Sequence, residues 1–452
     1  MRPFNRCLSP MGHSYPKDLV SFIYERWQDP VLFARLFPGQ RERFELPDRA
    51  VLEQVLSTCY QASLMREEER PVMFRLIIRE SHLFPAEEGP PTGIHRLIFS
   101  RTRPFNEYEL HRLAPAADFY RTLIGIAIDP VEGAQIWGLL HSGTRWMHNV
   151  YGGRKTSPPL PYSLVVYVTG AGQLSVCLGS EIIASLNAGQ INCPTLDVFN
   201  SQWITHSLAA VHSETIALHM AARARAERPW ADLDPDFGKY IGQQAIRRII
   251  SVIRNSHHGG LLVYLPPEMT EEIMKENRFL SIKYQFLELE SRQRFRTLTL
   301  RIMNTLAAIH GDARHPDKQV GWREYVSCKD DNIALLDEAI FDVAHFIAAL
   351  SAVDGAVVIT KRQELLGFGG VISGDLDTVG MVTHALDNEG THTEVVLSEG
   401  VGTRHRAAYR LCQRLHEAIA IVISQDESVQ IVKWHNGSVT YWDQVPTGVP
   451  GF

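Results

Sequence analysis

The stretch Ala418–Ser424, Ala-Ile-Ala-Ile-Val-Ile-Ser, restricts the fold more than any other part of the chain. It is apolar at every position before the serine and has no polar face to turn to water, so it reads as a strand buried on both sides. Its surroundings have the matching pattern. Leu336, Ile340, Val343, Ile347 and Leu350 fall at helical spacing and give one apolar face. Asp354-Gly355 is a turn signal, and Ala356–Thr360 a short β-branched strand. Leu365–Gly370, with glycines at 367, 369 and 370, and Glu394–Leu397 read as further strands. Gly402-Thr403 opens a helix over about Arg406–Leu415. Val429–Trp434 and Val439–Trp442 flank Asn436-Gly437, a strong hairpin signal. Helix and strand alternate and end in a hairpin, which predicts an α/β domain with a mixed sheet and flanking helices.

At 452 residues the chain is long enough for two or three domains. Upstream, Val51–Leu64 reads as a helix. Met73–Ile78, Leu164–Thr169, Gln173–Leu178 and Glu181–Leu186 read as strands, and residues 154–161, with three prolines, as a loop. Tyr240–Ile253 looks helical and Leu261–Leu265 is a short apolar strand after Gly259-Gly260. Gln285–Ile309 is charged and periodic, as in a connecting helix. The expected division is a mixed α/β N-terminal domain over 1–265, a helical connector over 266–329 and the C-terminal domain over 330–452.

Several classes of function are disfavoured. A net charge of −6 argues against coating nucleic acid through bulk charge. The longest apolar span, Ala339–Val353, contains Asp342 and His345 and falls short of the about 20 residues a membrane helix needs. The N-terminus lacks the apolar run of a signal peptide, and the six cysteines form no C-x-x-C pair. A cytoplasmic protein without a membrane partner is the expectation. His206, His212 and His219 match no zinc spacing and read as ordinary helix residues.

Three segments of the C-terminal domain carry polar groups where a core would have none: Asp354-Gly355-Ala356, Gly402-Thr403-Arg404-His405-Arg406 and Ser424-Gln425-Asp426-Glu427. Each lies at a strand end or a helix start, where α/β folds place ligands. The second is the most informative. A helix N-terminus already has free N–H groups and the positive end of its dipole. Cations placed there oppose the dipole unless an anion binds between them, and polyphosphate is the natural anion. Asp354 and Asp426 offer carboxylates to a divalent ion, and Gly355, Gly369 and Gly370 let backbone approach a ligand.

Asp354-Gly355-Ala356 and Gly402-Thr403-Arg404-His405-Arg406-Ala407-Ala408 resemble the two signature motifs of the diadenylate cyclase family, which includes the nucleotide-binding domain of the DNA-integrity scanning protein. The resemblance covers residues 330–452. It implies a nucleotide-binding domain that condenses two ATP into cyclic di-AMP, with release of pyrophosphate and a divalent metal, Mg or Mn, as cofactor. It implies catalytic roles for Asp354, Arg404, His405 and Arg406. It implies ATP contacts from Gly355, Ala356, Leu366, Phe368, Gly369, Thr403 and Ser424, and metal contacts from Asp354, His405 and Asp426. Each domain would bind one ATP, so two would meet face to face in a homo-oligomer. The N-terminal domain would sense an unidentified signal ligand. The family's third segment, Ser-Glu-Glu-Thr-Gly, is here Ser424-Gln425-Asp426-Glu427-Ser428. That departure keeps open a second reading, a catalytically weak or inactive regulator that binds ATP or cyclic di-AMP. Nucleic acid is not an expected partner.

Overall fold

The computed structural model describes residues 13–27, 45–67, 69–84, 94–119, 121–141, 163–179, 181–187, 189–192, 198–256, 258–275, 277–312, 319–328, 330–425 and 428–443. Asp426 and the proline-bearing stretch 154–161 lie outside them. The architecture is mixed α/β. The chain divides into two compact units, one holding the described residues up to 192 and the other those from 198 onward.

The first unit contains α1 (Pro16–Trp27), α2 (Arg49–Ser63) and α3 (Glu107–Leu113). Besides a two-residue pair, Arg66–Glu67 with Arg70–Pro71, its strands are β1 (Phe74–Ile78), β2 (His95–Pro104), β3 (Thr122–Asp129), β4 (Gly133–His141), β5 (Leu164–Gly170), β6 (Gln173–Leu178), β7 (Glu181–Asn187) and β8 (Gln190–Asn192). They form an eight-stranded sheet in the order β8-β7-β6-β5-β1-β3-β4-β2. Only β1 and β3 run parallel in it. Leu52, Val55, Leu56 and Cys59 fall on one stripe of α2. They are fully buried, in one core with Phe74, Leu76, Val166 and Val176 of the sheet.

The second unit begins with α4 (Gln202–Ala224) and α5 (Phe237–Asn255). Then come β9 (Gly260–Leu265), α6 (Thr270–Lys275), β10 (Leu280–Gln285), α7 (Arg294–Ile309), α8 (Asp331–Leu350), β11 (Ala356–Thr360) and β12 (Leu365–Ile372). The chain continues through β13 (Met381–Ala385), β14 (Thr393–Leu397), α9 (Thr403–Arg414), β15 (Ile419–Ile423), β16 (Val429–His435) and β17 (Ser438–Trp442). The nine strands form one sheet in the order β10-β12-β11-β9-β15-β16-β17-β13-β14.

Every residue of β15 is buried, as its apolar run requires. One sheet face, with Leu262, Tyr264, Ile359, Ile421 and Ile431, shares a core with Ile249 and Ile250 of α5 and Ile347 of α8. The other, with Leu261, Val263, Val358 and Val422, shares one with Ala408, Leu411 and Cys412 of α9. The result is a sheet between two helical layers. Asn436 and Gly437 both take positive φ, +49° and +86°, as the tight β16–β17 hairpin demands.

The boundaries expected at 265 and 330 fall inside this unit. β9 is not the last strand of an N-terminal domain but a central strand of the second sheet, parallel to β11 and antiparallel to β15. The segment 266–329 is not a connector. It supplies the edge strand β10, which pairs with β12. The helix expected over Gln285–Ile309 is a short helical turn at Leu289–Arg292 followed by α7 from Arg294, whose Phe295, Leu298, Ile302 and Leu306 are buried in a core shared with α5 and α8. None of the helices among the described residues is long and apolar enough to cross a membrane.

Candidate functional site

Strand register brings the candidate segments together. β9 pairs with β11 through Leu262 and Val357, and with β15 through Gly260 and Ile423. Carrying both registers to the strand ends puts Asp354, Gly259 and Ser424 in one row. Strands lie about 4.8 Å apart, so the first and last of these backbones are roughly 10 Å apart. On the other side of β11, Ala356 pairs with Gly370. The first and third segments thus share one end of the sheet, with Gly259 between them.

α9 brings the second segment to the same place. Its N-cap is Gly402, which has no side chain to cap the helix, and its first turn has no acidic residue. The Arg406 N–H donates to the Gly402 carbonyl at 3.2 Å. The N–H groups of Thr403 and Arg404 precede that bond and have no turn to bond into. The Arg404 guanidinium reaches back over the row: its Nη1 is 2.9 Å from where a Cβ on Gly259 would stand. The same point is 2.8 Å from the Ile423 carbonyl and 3.3 Å from the Gln425 nitrogen. Among the described residues no carboxylate lies within ion-pair distance of Arg404 or Arg406. A half-buried guanidinium with no carboxylate partner among the described residues, at the positive end of a helix, is an arrangement that attracts an anion.

The candidate residues do not all reach this point. Asp354, Gly355 and Thr403 are exposed, and Arg404, His405 and Ser424 half-buried. Arg406 is exposed, two residues beyond Arg404 and so on a different side of the helix. Leu366 and Ala356 are 0% exposed, with both side chains in the core on the α9 face. The Gly-rich strand β12 instead supplies Phe368, half-buried, and Gly369, whose φ is +65°. The Ser424 N–H donates to the Ser428 carbonyl at 2.9 Å. Asp426 lies outside the described residues. Among those described, no group of three or more His, Cys, Asp or Glu could hold a metal.

Two contributors escape the sequence reading. Gly259 reads there only as a turn residue before a strand. The other is Tyr284 on β10, whose ring stacks on Phe368 with centroids 4.7 Å apart and planes at 22°. Phe286 flanks the same phenylalanine at 5.9 Å. Tyr284 is 43% exposed, leaving an aromatic surface open beside the glycines of β12. Its own signal was the alternation Leu280-Ser281-Ile282-Lys283.

Gly259 has φ +66°, a conformation that costs a residue with a Cβ about 1–2 kcal/mol. Gly259→Ala is therefore expected to lower the thermal midpoint of this unit by roughly 2–8 °C and to push Arg404 off the row. Calorimetry reads the first effect, and an unchanged midpoint would show that the turn tolerates a side chain.

Residues 41–141, within the first unit, match the family model described as a probable sensor domain, DACNV. No curated protein matches the chain.

Proposed function

We propose that the protein is a sensor-regulated diadenylate cyclase, joining two ATP molecules into cyclic di-AMP and releasing two pyrophosphates. The observation that carries this reading is the meeting of Asp354, Gly259, Ser424 and the Arg404 guanidinium at one sheet end, beside an uncapped helix N-terminus. The matched sensor family adds support, because DACNV domains are typically associated with diadenylate cyclases.

The chemistry asks for positioning and charge rather than a covalent intermediate. The N–H groups at the start of α9, with Arg404, would hold the phosphates and take up charge as the α-phosphate is attacked. Arg406, exposed on another side of the helix, would meet the polyphosphate of the second nucleotide. Gly355 would admit the ribose, and Asp354 would orient the attacking 3′-hydroxyl. Tyr284 and Phe368 offer the base an aromatic surface. Each unit presents one such site, so the reaction needs two copies face to face. A magnesium-like ion binds through one or two carboxylates plus substrate phosphates, and Asp354 fits that donor set, with His405 and Asp426 as further candidates. Such an ion would supply charge neutralisation at the phosphates.

The reading is tested by incubating the full chain with ATP and Mg or Mn and resolving products by chromatography with mass detection. Wild type is expected to form cyclic di-AMP and Asp354→Asn to form none. Bound ATP without product in either metal would favour the regulator reading, which the amide of Gln425 in place of a family carboxylate motivates. Neither product nor binding would overturn both.

A further inference from the structure

A cavity of about 240 Å³ lies on the sheet face away from α9, lined from α4, α5, α7 and strands β9, β15 and β16. Its walls are apolar, with Leu208, Ile246, Phe295 and Ile421 among them. Two polar groups in this lining are left unsatisfied. Tyr264 is 4% exposed, and its hydroxyl is buried without a hydrogen-bond partner. Arg296 has a side chain 14% exposed, and its Nε is likewise buried and unpartnered. Buried polar groups are nearly always bonded, so two orphans in one cavity lining point to something that belongs there.

The charge around them has one sign in excess. Arg296 and Arg362, both lining residues, share a single carboxylate, Glu214, at 2.6 and 2.7 Å. Among the described residues, two guanidiniums on one acid leave one positive charge uncompensated, and two further lining charges, Lys239 and Asp236, are one of each sign. Lys361 lines the same cavity and pairs with Glu417 at 3.3 Å. The phenol and the cations also belong to one end of the sheet. Tyr264 is the penultimate residue of β9, and the turn bearing Lys361 and Arg362 starts where β9 ends, its Lys361 N–H donating to the Leu265 carbonyl at 2.8 Å.

We infer that this cavity binds a small monocarboxylic acid with an apolar body, its carboxylate held by Arg296 and Arg362 and hydrogen-bonded by Tyr264. The volume lies below the ~300–1,000 Å³ of pockets for drug-sized ligands, which selects a small molecule. Apolar walls select its body, and the surplus guanidinium charge selects an acid over an amine or alcohol. The site is separate from the row at Asp354, and nothing in its logic depends on the cyclase reading.

Titration calorimetry of the full chain with octanoate tests this, with 1-octanol and octylammonium as probes of equal chain length. One octanoate per chain is expected, bound at least about tenfold more tightly than either comparator, as a charge-assisted hydrogen bond implies. Tyr264→Phe and Arg296→Met should each weaken octanoate about tenfold or more, on the same grounds. Leu208→Trp, which fills the cavity from a half-buried helix position, should abolish binding while leaving the helical circular dichroism intact. No octanoate binding to wild type, equal binding of octanol, or wild-type affinity in both polar variants would overturn the inference.

Discussion

If the chain is the proposed diadenylate cyclase, replacing Arg404 with alanine is expected to lower the rate of cyclic di-AMP formation about 100- to 1,000-fold, the loss that follows removal of one preorganised donor to developing charge. The size of the effect comes from where the guanidinium sits. It is half-buried, has no carboxylate partner among the described residues, and its Nη1 lies over Gly259. Half-burial against Gly259 narrows the rotamers open to it before any phosphate arrives, so part of the ordering precedes the transition state. An exposed arginine would not behave this way. Arg406, exposed on another side of α9, should lose less rate when replaced by alanine and more of its affinity for ATP. Arg404→Lys should recover only part of the loss, since a lysine keeps the charge but not the planar fork. Initial rates at saturating ATP, set beside the ATP dissociation constant of each variant, separate the two arginines. An Arg404→Ala enzyme as fast as wild type would remove this residue from the chemistry.

Much of the second unit is legible in its sequence because its signals are local. The buried run at 418–424, the Asn436-Gly437 hairpin and the apolar stripe from Leu336 to Leu350 each carry their structure within a few residues, and each folds as the pattern predicts. What escapes is non-local. Nothing within Leu261–Leu265 says that its neighbours are β11, nearly a hundred residues later, and β15, later still. The strand consequently falls on the wrong side of an expected domain boundary. The helical reading that begins at Gln285 leaves β10 unrecognised, although its alternation is present, because the charged residues after it extend a helical periodicity backwards.

The candidate site divides along the same line. Asp354 and Arg404 announce themselves as motifs. The glycine that seats Arg404 does not, because the positive φ it takes and the approach of a guanidinium from 145 residues away exist only in the folded chain. Ala356 and Leu366 show the reverse. They adjoin motif and glycine residues in sequence, yet the pleat turns both side chains into the core. In β12 the register with β11 shifts at the glycines, so side-chain parity there cannot be counted from sequence.

Trp442→Ala is expected to cost the second unit about 3–5 kcal/mol of stability. Trp442 is fully buried, and its ring stacks on Trp203 of α4 with centroids 4.5 Å apart. Its indole N–H donates to the Asp387 carbonyl at 3.1 Å. Trp203 donates in turn to the Asn388 carbonyl at 3.0 Å, and the Glu389 carboxylate accepts from the Gln202 N–H at 2.9 Å. Trp442 is thus the centre of a clamp that fixes the start of α4 to the 387–389 turn. Alanine would open a cavity the size of an indole and also free the aromatic pair, which adds about 0.5–1.5 kcal/mol of its own. Trp203→Phe keeps a ring against Trp442 and should cost less than half as much. Because Trp442 belongs to the core on the α5 and α8 face, whereas α9 packs on the opposite face, the thermal midpoint should fall steeply while the geometry around Arg404 survives at low temperature. Calorimetry across the unfolding of this unit, paired with ATP binding at 10 °C or thereabouts, measures both. A loss below about 1 kcal/mol would mean that the stack is not a keystone of the sheet, since surface substitutions alone reach about half that value. Unfolding accompanied by lost ATP binding in the cold would mean that the two faces of the sheet are not independent.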